Sequence, residues 1–328
     1  MTRAHVLTAL AGLALVLLLP HFAGAFAQAL TVELLIYSMF ALSIGVLYGH
    51  TGMMSFGHAG FFGVGAYAVA LTITKLDAGL ATALLAAVGS TAILAIVVAA
   101  VAVRLKGHYF ALITLIVGLI LYYLGTGWRS LTNAEDGISF ARPELFSVYA
   151  LGDPKVSYYF LSILAILAIF FIWFLLTSPL GRLFRGLREN DDRARYLGYP
   201  VARLKMLSFT ISGTLAGLSG GMYALFSGYV NSEFLSWILS GEAVMWAMVG
   251  GAGSLIGPIL GASLLIWGRE VLSSYLIDIY PILVGSIMIL SVIFLRGGLA
   301  GAFQQIRDAW EAGRAPASSD VTTNREQT

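Results

Sequence analysis

The chain is a succession of apolar runs, most of them long enough to cross a bilayer as a helix and parted by short polar breaks. Measured against the roughly twenty residues that a spanning helix needs, the runs are 6–26, 32–48, 54–73, 80–103, 109–125, 158–176, 206–226, 242–251, 255–271 and 281–294. In lipid every backbone N–H and C=O must find its partner inside the chain, and consecutive apolar runs do so as helices. The expectation is an all-α polytopic membrane protein with about eight to ten transmembrane helices. The run at 242–251 is too short to cross easily and reads as a half-helix or as merging with its neighbours. Charged residues make up 11% of the chain against 59% hydrophobic, where soluble domains carry about 25% charged residues. Most of the surface must therefore face lipid.

The first run has a second reading. Arg3, the apolar stretch 6–19 and the small residues Ala23-Gly24-Ala25 and Ala25-Phe26-Ala27 resemble a cleavable signal peptide. Further spans follow at once, so the preferred reading is a permanent first span that Pro20 kinks or ends.

Charge is gathered in one place. Residues 181–205 hold seven of the nineteen Lys and Arg: Arg182, Arg185, Arg188, Arg193, Arg195, Arg203 and Lys205. Basic loops are retained in the cytoplasm. With Arg3 placed there and the ten runs alternating, fourteen basic residues fall on the cytoplasmic side and five on the other. Both termini are then cytoplasmic. Within the island Asn190 or Asp191 caps a short helix, Arg193 to Leu197 continue it, and Gly198 ends it before Pro200. A bare positive-inside anchor explains the arginines but not this cap and stop. The acids Asp191 and Asp192 read as part of a solvated ion-pair network.

Two other stretches lie outside the runs. Residues 126–157 form the only long external loop, with Arg129, Arg142 and Lys155 as its basic groups. The tail 297–328 places Leu299, Phe303, Ile306 and Trp310 on one helical face before a polar end. It reads as a short amphipathic interfacial helix followed by disorder, appended to a permease-like domain over 1–296.

Glycines recur at helical spacing. Gly213, Gly217 and Gly221, and again Gly253, Gly257 and Gly261, are four apart. Such rows let a neighbouring helix approach closely, which fits static packing better than sliding. Gly250-Gly251-Ala252-Gly253 ahead of Pro258 marks a break. Residues 49–70 combine six glycines with His50, Ser55 and His58. Polar and small groups at membrane depth line a cavity or pack against protein, so Ser55, Gly57, His58, Gly60 and Gly63 are candidates for a pathway or a packed interface, as are Gly250, Gly251 and Gly253. The two histidines lack the further ligands of a metal site.

Signatures of chemistry are missing. There is no cysteine, no GxxxxGK[ST] phosphate loop, and Gly63-Val64-Gly65 lacks the third glycine of a dinucleotide fingerprint. The chain reads as a transporter component, not an enzyme, with no cofactor of its own and no basic face for nucleic acid. The rival reading is a single-chain ion-coupled secondary transporter. It needs functional carboxylates near mid-membrane, whereas Glu33, Glu242 and Glu270 fall near the ends of runs.

Three blocks carry a resemblance. They are TGMMSFGHAGFFGVGAY within 49–70, GRLFRGLRENDDRARYLG leading into KMLSFTISGTLAGL over 181–218, and SGEAVMWAMVGGAGSLIGPILGA at 240–262, joined by GHYFALITL at 107–115. Together they resemble the permease subunits of branched-chain amino acid ABC importers, in the LivM-like branch. The match extends over most of the chain between residues 30 and 295. One departure stands out: the family's external LTGG…G stretch is here Leu131-Thr132-Asn133-Ala134-Glu135-Asp136-Gly137.

The resemblance implies an inner-membrane protein working beside a homologous LivH-like permease. Two ATPases binding ATP-Mg and a periplasmic or extracellular solute-binding protein would complete the importer. It also implies a cytoplasmic coupling loop over 178–205, with Arg188, Glu189, Asn190, Asp191, Arg193, Ala194, Leu197 and Gly198 as the ATPase contact. Arg129, Arg142 and Lys155 are expected to meet the binding protein. Branched-chain amino acids are the expected cargo; relatives of the family also carry urea, amides and aromatic acids.

Overall fold

The computed structural model describes residues 16, 18–145, 149–275, 285, 286, 289 and 298–301. The chain is an all-α membrane protein whose principal helices are α1 (Ala25–Ile44), α2 (His58–Leu76), α3 (Leu80–Ala102), α4 (His108–Gly127), α5 (Pro154–Thr177), α6 (Pro179–Glu189), α7 (Asp191–Tyr196), α8 (Val201–Ser227), α9 (Trp237–Gly250) and α10 (Ile256–Tyr275). Helix α1 runs directly into a π-helical turn, Gly45–Gly49. Among the described residues five helices, α1 with that turn and α2 to α5, are long and apolar enough to cross a membrane. By length alone α8, at 27 residues, and α10, at 20, also reach across. The short run at 242–251 falls in α9, whose fourteen residues begin just after the capping Ser236. The run at 281–294, apart from residues 285, 286 and 289, and the tail residues Phe303, Ile306 and Trp310 lie outside the described residues.

Several boundaries differ from the apolar runs. Helix α2 starts at His58, not Met54, because residues 52–57 form a non-helical break. Gly52 in that break has φ +73°, a conformation that costs most other residues roughly 1 kcal/mol or more. Helix α8 starts at Val201, five residues before its apolar run, so Arg203 and Lys205 belong to the helix. Helix α5 starts at Pro154, with Asp153 accepting from the Lys155 N–H at 2.8 Å.

The centre of the bundle is set by burial. Within their apolar windows α1 is 72% and α2 61% buried, against 28% for α3, 22% for α4 and 28% for α5. So α1 and α2 are enclosed, while α3 to α5 present bare apolar faces. Without a hydrophobic drive between helices in lipid, close packing holds them together. The rows of small residues supply it. A Cβ built on Gly213 or Gly221 would lie 3.0 Å from Ala95 Cβ or 3.1 Å from Ala87 Cβ, and one on Gly217 would enter Thr91. Gly213, Gly217 and Gly221 of α8 therefore meet Ala95, Thr91 and Ala87 of α3, an antiparallel match of two four-residue spacings. On its other side α8 touches α2 backbone to backbone: Gly65 lies on the Gly217 carbonyl and Gly220 on the Phe62 carbonyl.

The ends of the helices sort onto two faces. At one, Lys106 reaches Asp192 at 3.4 Å and Arg188 reaches the Gly49 carbonyl at 2.6 Å. At the other, Lys75 donates to the Ser130 carbonyl at 2.7 Å, and Ile138–Ser139 pairs antiparallel with Tyr229–Val230. This is the alternation that consecutive spans require.

The glycine row gives a direct test of packing. Gly217→Val should force a side chain into Thr91, while Gly89→Ala on α3 meets nothing within 4 Å. Overpacking typically costs about 1–3 kcal/mol, so Gly217→Val should lower the thermal midpoint of the purified protein and Gly89→Ala should not. Equal midpoints would remove this contact from the basis of the fold.

Candidate functional site

The charged island folds as two consecutive surface helices. Ser178 caps α6, its hydroxyl accepting from the Leu180 N–H at 3.2 Å, and Pro179 takes the first helical position. Gly181, Phe184 and Leu187 turn inward and are buried, while Arg182, Arg185, Arg188 and Glu189 stay exposed. Gly181 allows the start of α6 to lie directly on the backbone of Leu176, at the end of α5.

Asn190 then breaks the helix in an extended conformation and caps α7, its side chain accepting from the Arg193 N–H at 2.9 Å. Asp191 and Asp192 open α7 and Arg193 and Arg195 close it, the charge order that a helix dipole favours. Gly198 follows with φ +84°. There the Gly198 N–H donates to the Arg195 carbonyl and the Tyr199 N–H to the Ala194 carbonyl, at 3.0 and 3.1 Å. The chain turns back at Pro200 into α8.

Two kinds of ion pair hold this hairpin. Asp192 pairs with Lys106 and Arg195 at 3.4 and 3.7 Å in solvent. Asp191 is different: it pairs closely with Lys205, and the side chains are only 10% exposed for Lys205 and 19% for Asp191. The expectation of a solvated network is thus corrected for Asp191, because Lys205 sits inside α8 and brings its charge under the hairpin.

Ala194 faces a groove between the two helices, shared with Leu183, Leu187, Leu197 and Leu204 and bordered by Arg182 and Arg193. What protrudes instead is the tip of α7, where Tyr196 is 91% and Leu197 70% exposed. Tyr196 was not singled out from the sequence, although an aromatic residue inside a run of arginines is the available signal.

Arg188 links the island to the bundle. Its guanidinium donates to the Gly49 carbonyl at the end of the π-helical turn. Its stem lies 3.5 Å from where a Cβ of Gly52 would be, and its Nη1 3.2 Å from that of Gly253. Three breaks meet there: the end of α1, the segment before α2, and the turn between α9 and α10. Gly49 itself lies on the backbone of Ala252 in that turn. Beside them His50 is buried and pairs through Nδ1 with the Gly45 carbonyl at 3.2 Å. Burial pushes its imidazole below the usual histidine range, and the nearby charges of Arg185 and Arg188 push the same way.

The glycine-rich segments are packed, not open. Gly57 lies on the Thr114 carbonyl, Gly60 near Leu121 and Gly118 of α4, and Gly63 on Leu235. His58 Nε2 and Ser212 Oγ are 2.7 Å apart, and Ser212 donates to the Ser43 carbonyl at 2.5 Å. Since the serine proton is used there, His58 carries its proton on Nε2 and donates it. Ser55 Oγ is buried with no hydrogen-bond partner among the described residues. In the late block Gly251 has φ +103° and Gly298 packs onto the Gly250-Gly251 backbone. Gly257 and Gly261 pack against Gly250, whereas Gly253 is exposed in the turn and leaves that row.

On the opposite face Arg129 and Lys155 are exposed, and Arg142 is half-buried against Gly228.

Comparison with known proteins identifies the chain's family. Residues 26–294 match the family described as branched-chain amino acid transport system / permease component. The chain is 30% identical over 288 residues to the high-affinity branched-chain amino acid transport system permease protein LivM of Salmonella typhimurium, covering 81% of this chain and 68% of that one. It is 27% identical over 290 residues to the corresponding LivH of Escherichia coli, covering 81% and 91%. The autoinducer 2 import system permease protein LsrC of Yersinia pestis is 31% identical over 157 residues, 45% of this chain and 41% of that one. No solved structure matches the chain.

The departure at Leu131–Gly137 has a conformational reading. Asn133 and Ala134 have φ +62° and +54°, so a pair of glycines at these positions would suit the backbone. Asn tolerates this region and Ala does not, at roughly 1 kcal/mol. Ala134→Gly should therefore raise or preserve the thermal midpoint, and a clear loss would show that Ala134 makes a contact worth more than its strain. Lys205→Met should act oppositely. Removing one partner of a buried pair costs about 3–5 kcal/mol, and proteolysis of the 178–200 hairpin should become markedly faster. Unchanged proteolysis would mean that Asp191 does not depend on Lys205.

Proposed function

The chain belongs to the family of branched-chain amino acid transport system permease components, and from that membership we propose that it forms one membrane-spanning half of an ATP-driven importer in a bacterial-type inner membrane. The partner half is a homologous permease. ATP-Mg is bound and hydrolysed by two separate ATPase subunits on the cytoplasmic face, where the island and both termini lie. A binding protein delivers the solute on the face of Arg129, Arg142 and Lys155. The cargo is a branched-chain amino acid or a related small polar solute.

One observation carries this reading: α7 holds an exposed apolar tip, Tyr196 and Leu197, on a helix that is capped at both ends and anchored underneath by Asp191 and Lys205. An anchor for phospholipid headgroups needs only the arginines. A capped helix with an apolar tip suits a protein cleft, since hot spots of binding are aromatic or apolar groups ringed by charge.

Motion of that helix has a defined route inward. Helix α7 follows α6 with Asn190 alone between them, and the Arg188 side chain of α6 bridges three backbone breaks. ATPase closure that displaces α6 and α7 would shift those breaks together, which is the requirement for alternating access.

Tyr196→Asp and Leu197→Asp should insert at normal levels, because both side chains are largely exposed on the surface hairpin. In proteoliposomes holding the full complex, binding-protein-stimulated ATP hydrolysis should fall by about tenfold or more, the scale of a lost hot spot. Arg188→Gln should instead leave hydrolysis present and lower transport per ATP. Full stimulation and full transport in all three variants would leave the island as an anchor only.

A further inference from the structure

Away from the island, three helices bring ionisable residues together inside the bundle. Glu33 lies on α1, Glu242 on α9 and Arg269 on α10. By position in their helices all three sit about 8–12 Å below the ends opposite the island, at 1.5 Å per residue. Arg269 Nη2 and Glu33 Oε1 are 3.7 Å apart, and Glu242 stands one helical turn from Trp246, whose ring packs on Tyr37, one turn from Glu33. The distance exceeds the 2.7–2.9 Å of a closed charge-assisted hydrogen bond. The pair is open, with side-chain exposures of 39% for Arg269 and 23% for Glu33.

Lipid does not explain this arrangement. Charged groups at membrane depth face a protein interior or a water-filled cavity. On α10, Arg269 shares its helical face with the buried Ala262, Leu265 and Ile266, while Leu260, Leu264 and Trp267 take the exposed side. Below the charges lies an aromatic floor. Tyr37 is one turn deeper than Glu33, and Trp246 one turn deeper than Glu242; their ring centroids are 5.4 Å apart. Tyr223 closes on Tyr37 at 5.2 Å and on Phe234 at 5.1 Å.

We propose that Glu33, Glu242 and Arg269, over the Tyr37–Trp246 floor, form a subsite on the translocation path for a zwitterionic α-amino acid with an apolar side chain. The guanidinium of Arg269 takes the carboxylate, as its planar fork favours. Glu33 and Glu242 take the ammonium, and the side chain lies on the rings. One carbon separates the two charges of such a ligand, so it can bind by opening a pair already held at 3.7 Å. A neutral amide or urea would leave both charges unmatched in a low-dielectric site, and binding-site specificity rests on that cost. The inference deepens the importer reading and rests on it.

The test uses the complete complex in proteoliposomes, with leucine as the probe, measuring uptake and binding-protein-stimulated ATP hydrolysis on the same vesicles. Arg269→Gln and Glu33→Gln should each lower leucine uptake per ATP hydrolysed at least tenfold. Arg269→Lys, which keeps the charge without the fork, should restore part of the uptake. A second measurement does not depend on those variants: the chain has no cysteine, so Glu242→Cys offers a single thiol. Leucine-loaded binding protein with ATP should slow its alkylation severalfold relative to the unloaded protein. Normal uptake in Arg269→Gln, loss of uptake and hydrolysis together, or an alkylation rate indifferent to leucine would each overturn the subsite. A parent complex that hydrolyses no ATP on addition of binding protein would instead overturn the importer reading beneath it.

Discussion

The structure depends on backbone lying directly on backbone. A helix in lipid gains little from hiding apolar side chains, so bundles are held by close packing and by the few polar contacts they can satisfy. Here several close approaches run through glycine: Gly65 on Gly217, Gly220 on Phe62, Gly57 on Thr114, Gly250 on Gly257, and Gly49 on Ala252. Each removes a side chain that would otherwise hold two helices apart. The enclosed helices α1 and α2 are enclosed because their neighbours can come this near. The hydroxyls then fit: Ser219 reaches the Ile36 carbonyl at 2.7 Å and Ser240 accepts from the Ala59 N–H at 2.8 Å.

The same residue type does two different jobs, and spacing alone does not separate them. Gly213, Gly217 and Gly221 lie within one helix and form a packing row against α3. Gly253, Gly257 and Gly261 have identical spacing, yet the first lies in a turn and only the other two face α9. What distinguishes the second row is the preceding Gly251 at φ +103°, which ends α9 before a turn into α10. Local sequence shows that a break is near; contact between helices decides which glycine packs and which one turns.

Much of this was legible in the chain. The apolar runs gave the helical class, and the order Asn190, Asp191 to Tyr196, Gly198, Pro200 gave the capped surface helix at its true place. Three features were not legible. The helix Pro179–Glu189 hid within its arginines, since its inward face is only Gly181, Phe184 and Leu187. Lys205 read as a basic loop residue because the run of apolar residues begins after it, while the helix begins before it. Glu33, Glu242 and Arg269 each lie near the end of a run and seem unrelated along the chain; only the packing of α1 against α9 and α10 joins them. Periodicity reports one helix at a time, and these are properties of helix pairs.

Helix α1 ties the two ends of the molecule together. At one end its π-helical turn stops at Gly49, whose carbonyl Arg188 holds and whose backbone rests on Ala252. Sixteen residues earlier, about 24 Å along a helix, Glu33 pairs with Arg269 of α10. Between them Ser38 meets Ser263 of α10 at 3.2 Å, and Gly45 meets Pro258. Helices α1 and α10 thus touch along their length and share both the charged pair and the turn beside Arg188. A π-helical turn carries one residue more than the ladder needs and is a point where a helix yields without breaking. It lies between the Arg188 contact at Gly49 and the Glu33–Arg269 pair. Arg188 and the Glu33–Arg269 pair are therefore joined by one continuous helix, whose π-helical turn at Gly45–Gly49 lies beside Pro258 and whose α-helical part meets Ser263 of α10.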